Sequence, residues 1–184
     1  MVAISYGQMV LAISVIWVLI RGICAVKAKG ISVKGELKLL LVYICIVVVV
    51  RFTFCPFGTV DGKIQPLLFD PSQILPFWIN WKPFVYLLDY PTLGEALLNL
   101  IGNTAMFIPL GIVWPAVFKK LNNHVKVIAA GFGITLTIEI LQLPFFDRAT
   151  DIDDLILNTL GFLLGYGIYL LFRIFSKGKS GFGK

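Results

Sequence analysis

Five long apolar runs, separated by short charged segments, dominate the chain. The first covers about Val2 to Ile23, with Arg21 near its end, and the second Leu37 to Phe54, with Arg51 near its far end. The third covers about Leu93 to Phe118, the fourth Val125 to Leu143 and the fifth Ile152 to Phe175. Crossing about 30 Å of hydrocarbon takes roughly 20 residues of α-helix, so each run is predicted to span a membrane. The Val- and Ile-rich second run is no exception, because in lipid the backbone satisfies its own hydrogen bonds only in a helix or a closed barrel. Pro109 and Pro115 are expected to interrupt the third run, and Pro144 to stop the fourth. Gly161, Gly165 and Gly167 on the fifth would let a neighbouring helix approach closely.

The one long connection, residues 55–93, reads differently. Pro56, Pro66, Pro71, Pro76, Pro83 and Pro91 rule out a regular spanning helix there. Phe77, Trp78, Trp81, Phe84, Tyr86 and Tyr90 give it an aromatic surface suited to the membrane–water boundary. Residues 64–90 fit a shallow re-entrant or interfacial segment better than a free loop.

Composition agrees: of 184 residues 58% are hydrophobic and only 14% charged, with a mean hydropathy of +0.90. A soluble domain would carry about 25% charged residues. The expected fold is all-α, a polytopic bundle of five transmembrane helices forming a single membrane domain over residues 1–184. The bacterial plasma membrane is the expected location. The first run starts almost at Met1, without a preceding positive charge or a small-residue cleavage site. It reads as a mature helix rather than a signal peptide.

The net charge of +6 sets orientation rather than marking a nucleic-acid surface. Lys27, Lys29, Lys34 and Lys38 follow the first run beside Arg21; Lys119, Lys120 and Lys126 follow the third; Arg173, Lys177, Lys179 and Lys184 end the chain. Arg51, Lys63, Lys82 and Arg148 on the opposite side are spread over much more sequence. The positive-inside rule then gives an outer N-terminus and a cytoplasmic C-terminus, with the Pro- and aromatic-rich segment outside. No nucleic-acid partner is expected. Cys24, Cys45 and Cys55 match no metal spacing or disulfide framework and read as small apolar fillers, and His124 as a loop residue.

Polar side chains inside the apolar runs are the candidate chemistry. Glu95, Asn99 and Asn103 recur at i, i+4, i+8 on one face of the third helix. Thr135, Glu139 and Gln142 lie toward the end of the fourth, and Asp151, Asp153, Asp154 and Asn158 open the fifth. In the expected topology these groups meet at the outer face, with Arg51 and Arg148 at the same level. Ionisable groups at that depth are costly, which makes the constellation a site hypothesis. The plainer alternatives are interhelical hydrogen bonding by the amides, at about 0.6 kcal/mol a pair, and an exposed helix start for Asp151, Asp153 and Asp154, favoured by the helix dipole; a plain role is favoured for Thr135 or Asp153 taken alone.

Three chemistries suit such a group. Glu139, Asp151 and Asp154 are candidate ligands for Mg²⁺ or Ca²⁺, which want oxygen donors. The same carboxylates are candidate general acids or bases. Arg51 and Arg148 suit a phosphate or carboxylate while the acidic groups would accept an ammonium, with Asn99, Asn103, Gln142 and Asn158 as further substrate contacts. No Ser–His or Cys–His pair points to covalent catalysis.

Taken together, Asn99-x-x-Gly102-Asn103-x3-Phe107-x-Pro109-x-Gly111, Glu139-x-x-Gln142, and Arg148-x-x-Asp151-x-x-Asp154-x3-Asn158-x-x-Gly161-x3-Gly165 resemble the VanZ family of bacterial membrane proteins. Asn80-x-x-Pro83-Phe84 looks like the segment that precedes these motifs, so the likeness covers about residues 80–170. Asp153 is not part of the matched pattern. The resemblance implies an association with resistance to teicoplanin-type glycopeptide and lipoglycopeptide antibiotics, and hence with lipid-linked peptidoglycan precursor at the outer surface.

Three functions follow as alternatives. One is a membrane-embedded enzyme acting on a lipid-linked or cell-wall substrate, carried by the acidic cluster. A second is a non-catalytic binder that shields a surface ligand or a lipoglycopeptide, carried by Phe77, Trp78, Trp81 and Phe84. The third, a small transporter, is weakened because the ionisable residues gather at one depth instead of marking a path across.

Overall fold

A computed structural model describes residues 1–28, 32–55, 59–75, 79–84, 90–121, 123–146, 148 and 150–180. Among these, five helices are long and apolar enough to cross a membrane: α1 (Tyr6–Lys27), α2 (Val33–Phe54), α3 (Leu93–Val117), α4 (His124–Gln142) and α5 (Ile152–Ser180). The protein is mostly helical and is a multi-pass membrane protein. Short strands occupy the connections: β1 (Val2–Ile4), β2 (Thr59–Val60), β3 (Lys63–Ile64), β4 (Leu67–Phe69), β5 (Ile79–Asn80) and β6 (Thr150–Asp151). Phe77, Trp78 and Tyr86 of the aromatic segment, and Lys29 and Lys184 of the basic ones, lie outside the described residues.

The chain divides into two compact units. The first comprises Met1–Asn80 and Ile138–Thr150, that is α1, α2, the strands that follow and the end of α4. Its α1 begins at Tyr6, not at Val2. Ser5 caps the helix, its hydroxyl accepting from the Gln8 amide while the Gln8 side chain returns to the Ser5 backbone. The apolar residues ahead of the cap pair antiparallel with β4, Val2 opposite Phe69 and Ile4 opposite Leu67. Hydropathy alone does not separate such a strand from the helix it adjoins.

α1 has no buried residue and rests on α2 through a few directed contacts. Ser14 and Tyr43 share a 2.7 Å hydroxyl hydrogen bond, the Trp17 and Tyr43 rings meet at 5.5 Å, and Arg21 forms a two-pronged ion pair with Glu36. In lipid, where apolar contact brings little gain over the solvent, such polar and close-packed contacts join helices.

The Pro-rich connection is built of turns. β2 and β3 form a hairpin around Asp61 and Gly62, both at positive φ, which is the backbone that Asp-Gly favours in a two-residue turn. Asp70 caps the short 3₁₀ turn Pro71–Ile74, accepting from the amide and the hydroxyl of Ser72, and that hydroxyl holds the Asp70 carboxyl below its ordinary range. The far edge of β4 receives the chain after α4: Phe146 N–H donates to Leu68 O at 3.0 Å, and Asp70 N–H to Pro144 O at 2.8 Å.

The second unit comprises Trp81–Thr137 and Asp151–Lys184: α3, most of α4 and α5. α3 runs unbroken through Pro109 and Pro115, contrary to the interruption expected from them. Membrane helices carry internal prolines where neighbouring turns and helices re-satisfy the backbone. Its first turn is capped by Thr92, whose hydroxyl accepts from the Glu95 amide.

α3 and α5 touch backbone to backbone. A Cβ on Gly161 would stand 1.9 Å from Thr104 O, one on Gly165 2.1 Å from Ile108 O, and one on Gly111 2.0 Å from Phe162 O. The expected close approach is therefore made at Gly161 and Gly165. Gly167, expected to share it, has nothing within 4 Å of where its Cβ would stand. Phe162, fully buried, fills the space beside Gly131 and meets Trp114 edge-on at 5.9 Å.

Candidate functional site

In the first unit the polar residues gather at the end of α2. The last carbonyls of a helix have no partner within it. Here side chains from the segment around Pro144 supply partners. Gln142 Nε2 donates to Thr53 O at 2.6 Å and Arg148 Nε to Phe54 O at 2.8 Å, while Arg51 reaches Cys55 O at 3.5 Å. A chain of tight turns positions Arg148: Phe145 N–H donates to Gln142 O and Arg148 N–H to Phe145 O. Phe145 itself packs edge-on against both Phe54 and Phe69.

Arg51 also lies over the Phe52 and Tyr6 rings, at 5.5 and 6.0 Å from their centroids. Burial pushes the Cys55 thiol above its usual range, against the pull of the Arg51 and Arg148 guanidiniums nearby. Gln142 is buried, and its Oε1 has no hydrogen bond among the described residues. Glu139 is 2% exposed, and its backbone carbonyl accepts from the Thr150 hydroxyl.

Gln142 and Arg148, singled out as substrate contacts, thus each have a structural task. Replacing Arg148 with methionine withdraws the donor from Phe54 O and is expected to cost about 1–3 kcal/mol. Thermal unfolding of the purified protein should show the loss, and an unchanged Tm would refute the capping role.

The second unit holds the other group. Asn103, 5% exposed, points its amide at Asp154: Nδ2 donates to Oδ1 across α3 and α5, and the same nitrogen lies 3.5 Å from Asn99 Oδ1. One turn along α5 from Asp154, Asn158 is 1% exposed, and its Oδ1 has no hydrogen bond among the described residues. Asp151 sits just ahead of α5, in β6, rather than on its face. Its Oδ1 accepts from the Asp153 amide at 2.9 Å, as a cap does.

Asp153 has a partner that its sequence position did not announce. Its carboxylate accepts from Phe84 N–H at 2.9 and 3.0 Å, and Phe84 is held at φ 60°, a conformation rare for a bulky residue. Burial, reinforced by the carboxylates of Asp154, Asp151 and Asp153, raises the Tyr90 phenol above its usual range.

Two residues of the sequence reading take plain roles. Thr135, fully buried, donates to Gly131 O one turn back in its own helix, and Glu95 is exposed in the first turn of α3. Among the described residues no three His, Cys, Asp or Glu side chains are grouped so as to hold a metal ion. The second unit offers a half-buried carboxylate hydrogen-bonded to a buried amide, with a second buried amide a turn away, chemistry that suits hydrogen-bonding groups of a ligand.

The comparisons with known proteins agree with these motifs. The chain matches the VanZ/LLP1 family over residues 40–173. It is 40% identical over 71 residues to Protein VanZ of Enterococcus faecium, an alignment that takes in 39% of this chain and 44% of that protein, so less than half of the relative's length is spanned. No solved structure matches. With five membrane-crossing helices and a family match over most of its length, the chain belongs to the VanZ/LLP1 family.

Proposed function

We propose that this protein acts at the outer face of the membrane on a lipid-linked or cell-wall precursor, and that it confers or supports resistance to teicoplanin-type antibiotics. The observation that carries the reading is the Asp154–Asn103 pair between α3 and α5, with Asn158 buried one turn away and its Oδ1 without a hydrogen bond among the described residues. A carboxylate in a membrane helix is a functional-site hypothesis by default, because an ionisable group is costly there. The outer placement follows from the lysines and arginines of the short loops. The likeness to Protein VanZ supports the antibiotic association.

In this reading the protein is a membrane-embedded enzyme in which a carboxylate exchanges a proton or orients the substrate, Asp154 being the candidate in the second unit and Glu139 the candidate in the first. A second reading, a binder that shields a surface ligand, draws on Trp81 and Phe84, which are 71% and 45% exposed.

Susceptibility to teicoplanin of a sensitive Gram-positive host separates them, with wild type and Glu139→Gln expressed at matched membrane levels. Loss of an acid–base carboxylate lowers a rate by about 10²–10⁴-fold, so the enzyme reading expects protection to fall to the vector-only level. Protection kept by Glu139→Gln turns the reading toward binding. Protection by neither protein refutes the link to resistance.

A further inference from the structure

Two apolar grooves run along α5 on either side of a ridge formed by Ile156 and Leu160. The groove toward α3 is walled by Leu100, Thr104, Ala105 and Ile108, with Phe84 also lining it, and measures about 460 Å³. The one toward α4 is lined by Phe132, Leu155, Thr159 and Leu163 and measures about 350 Å³. Ile156 and Leu160 line both, so the grooves lie side by side at one depth. Both volumes fall within the roughly 300–1,000 Å³ of ordinary ligand sites.

We propose that a two-chain bilayer lipid sits astride this ridge, one hydrocarbon chain in each groove, with an ammonium-bearing head group at the first turn of α5. From Leu100 to Ile108 a helix rises about 12 Å, most of one leaflet of a core about 30 Å thick. The grooves lie on helices that cross the membrane, so hydrocarbon chains are what they meet. A paired arrangement suits two chains joined at one head group better than a single polyprenyl chain, which would fill one groove and leave the other.

Charge favours the ammonium. Asp151, Asp153 and Asp154 stand at the α5 end of the ridge, and the raised Tyr90 phenol reports burial together with their negative field. Phe84, whose backbone is tied to Asp153, connects that end of α5 to the α3-side groove. Thr159 Oγ1, buried and without a hydrogen bond among the described residues, gives the second groove a single polar point. The inference concerns a lipid site and does not depend on the reaction proposed above.

The test uses the full-length protein, purified in detergent and stripped of lipid, with Tm and native mass spectrometry as readouts. Dioleoylphosphatidylethanolamine is expected to bind one per chain and to raise Tm by several degrees. Lysophosphatidylethanolamine, with the same head group and one chain, and dioleoylphosphatidylglycerol, with two chains and a negative head group, should raise it much less. Leu160→Trp on the ridge and Ala105→Trp in the α3-side groove should each remove the response, whereas Leu98→Trp, on the exposed surface outside both grooves, should keep it. Ala105→Trp serves alone if Leu160→Trp does not fold. Equal shifts from the one-chain or the anionic lipid, or a full response in Ala105→Trp, overturn the proposal.

Discussion

Gly161→Val is expected to leave little folded protein in the membrane, and Gly165→Val to do the same, while Gly133→Ala and Gly167→Ala should be tolerated. The contrast follows from what each new Cβ would meet. At Gly161 it would stand 1.9 Å from the Thr104 carbonyl oxygen and 2.8 Å from its carbon; at Gly165 it would stand 2.1 Å from Ile108 O. These neighbours are backbone, with no rotamer to give way, so α3 and α5 would have to separate. Overpacking a tight core costs about 1–3 kcal/mol and occasionally more. Here the loss is compounded, because close packing is itself a main source of helix association in lipid. Gly133 and Gly167 have nothing within 4 Å, and alanine there improves helix propensity by up to about 1 kcal/mol. Monodispersity in detergent and Tm check the series. A Gly161→Val protein that unfolds at the wild-type temperature would mean that the helices do not meet at this contact.

That the fifth helix has a glycine face was legible in the sequence, and so was the exclusion of Gly167, which lies two residues after Gly165 and therefore on another side of the helix. Spacing places glycines on a helix, but whether a partner passes over them depends on which way the helix is turned. The five spans were legible for a stronger reason, since hydropathy over about 20 residues is a large summed signal. The differences concentrate where local chemistry outranks hydropathy. Ser5 and Gln8 form a capping box that starts α1 after the apolar Val2–Ile4, and Asp61-Gly62 makes a hairpin within a segment judged only by its prolines and aromatics. Both signatures are readable, S-x-x-Q ahead of an apolar run and D-G between extended residues.

The candidate site was legible as residue types and not as partners. Asn103 and Asp154 were singled out on separate helices, and their hydrogen bond depends on the register that Gly161 and Gly165 set between α3 and α5. Gln142 and Arg148 looked like ligand contacts because they are polar in apolar surroundings. Their donors instead go to the α2 carbonyls, a need visible only once a helix end is placed beside them. Asp153, outside the family pattern, holds the backbone of Phe84, a contact 69 residues apart in sequence that no local pattern encodes.

The Asn103–Asp154 pair allows a double-mutant cycle that separates a structural bond from a functional site. Asn103→Leu takes the amide away from the half-buried Asp154 carboxylate, and Asp154→Leu leaves the Asn103 amide, 5% exposed, without that acceptor. Each single change is expected to cost about 1–3 kcal/mol, the penalty for stranding one member of a part-buried polar pair. Replacing both members by apolar groups of similar size is nearly neutral, so the double variant should recover most of the lost Tm. A coupling energy of about 0.5 kcal/mol or more marks the two side chains as partners. Function then decides the role. If the pair only joins α3 to α5, the stable double variant protects the host as wild type does. If Asp154 serves the site, the double variant stays inactive despite its recovered stability, and Asp154→Asn, which keeps the shape and removes the charge, is inactive as well. Antibiotic protection restored in the double variant would remove Asp154 from the site and leave it as a link between two helices.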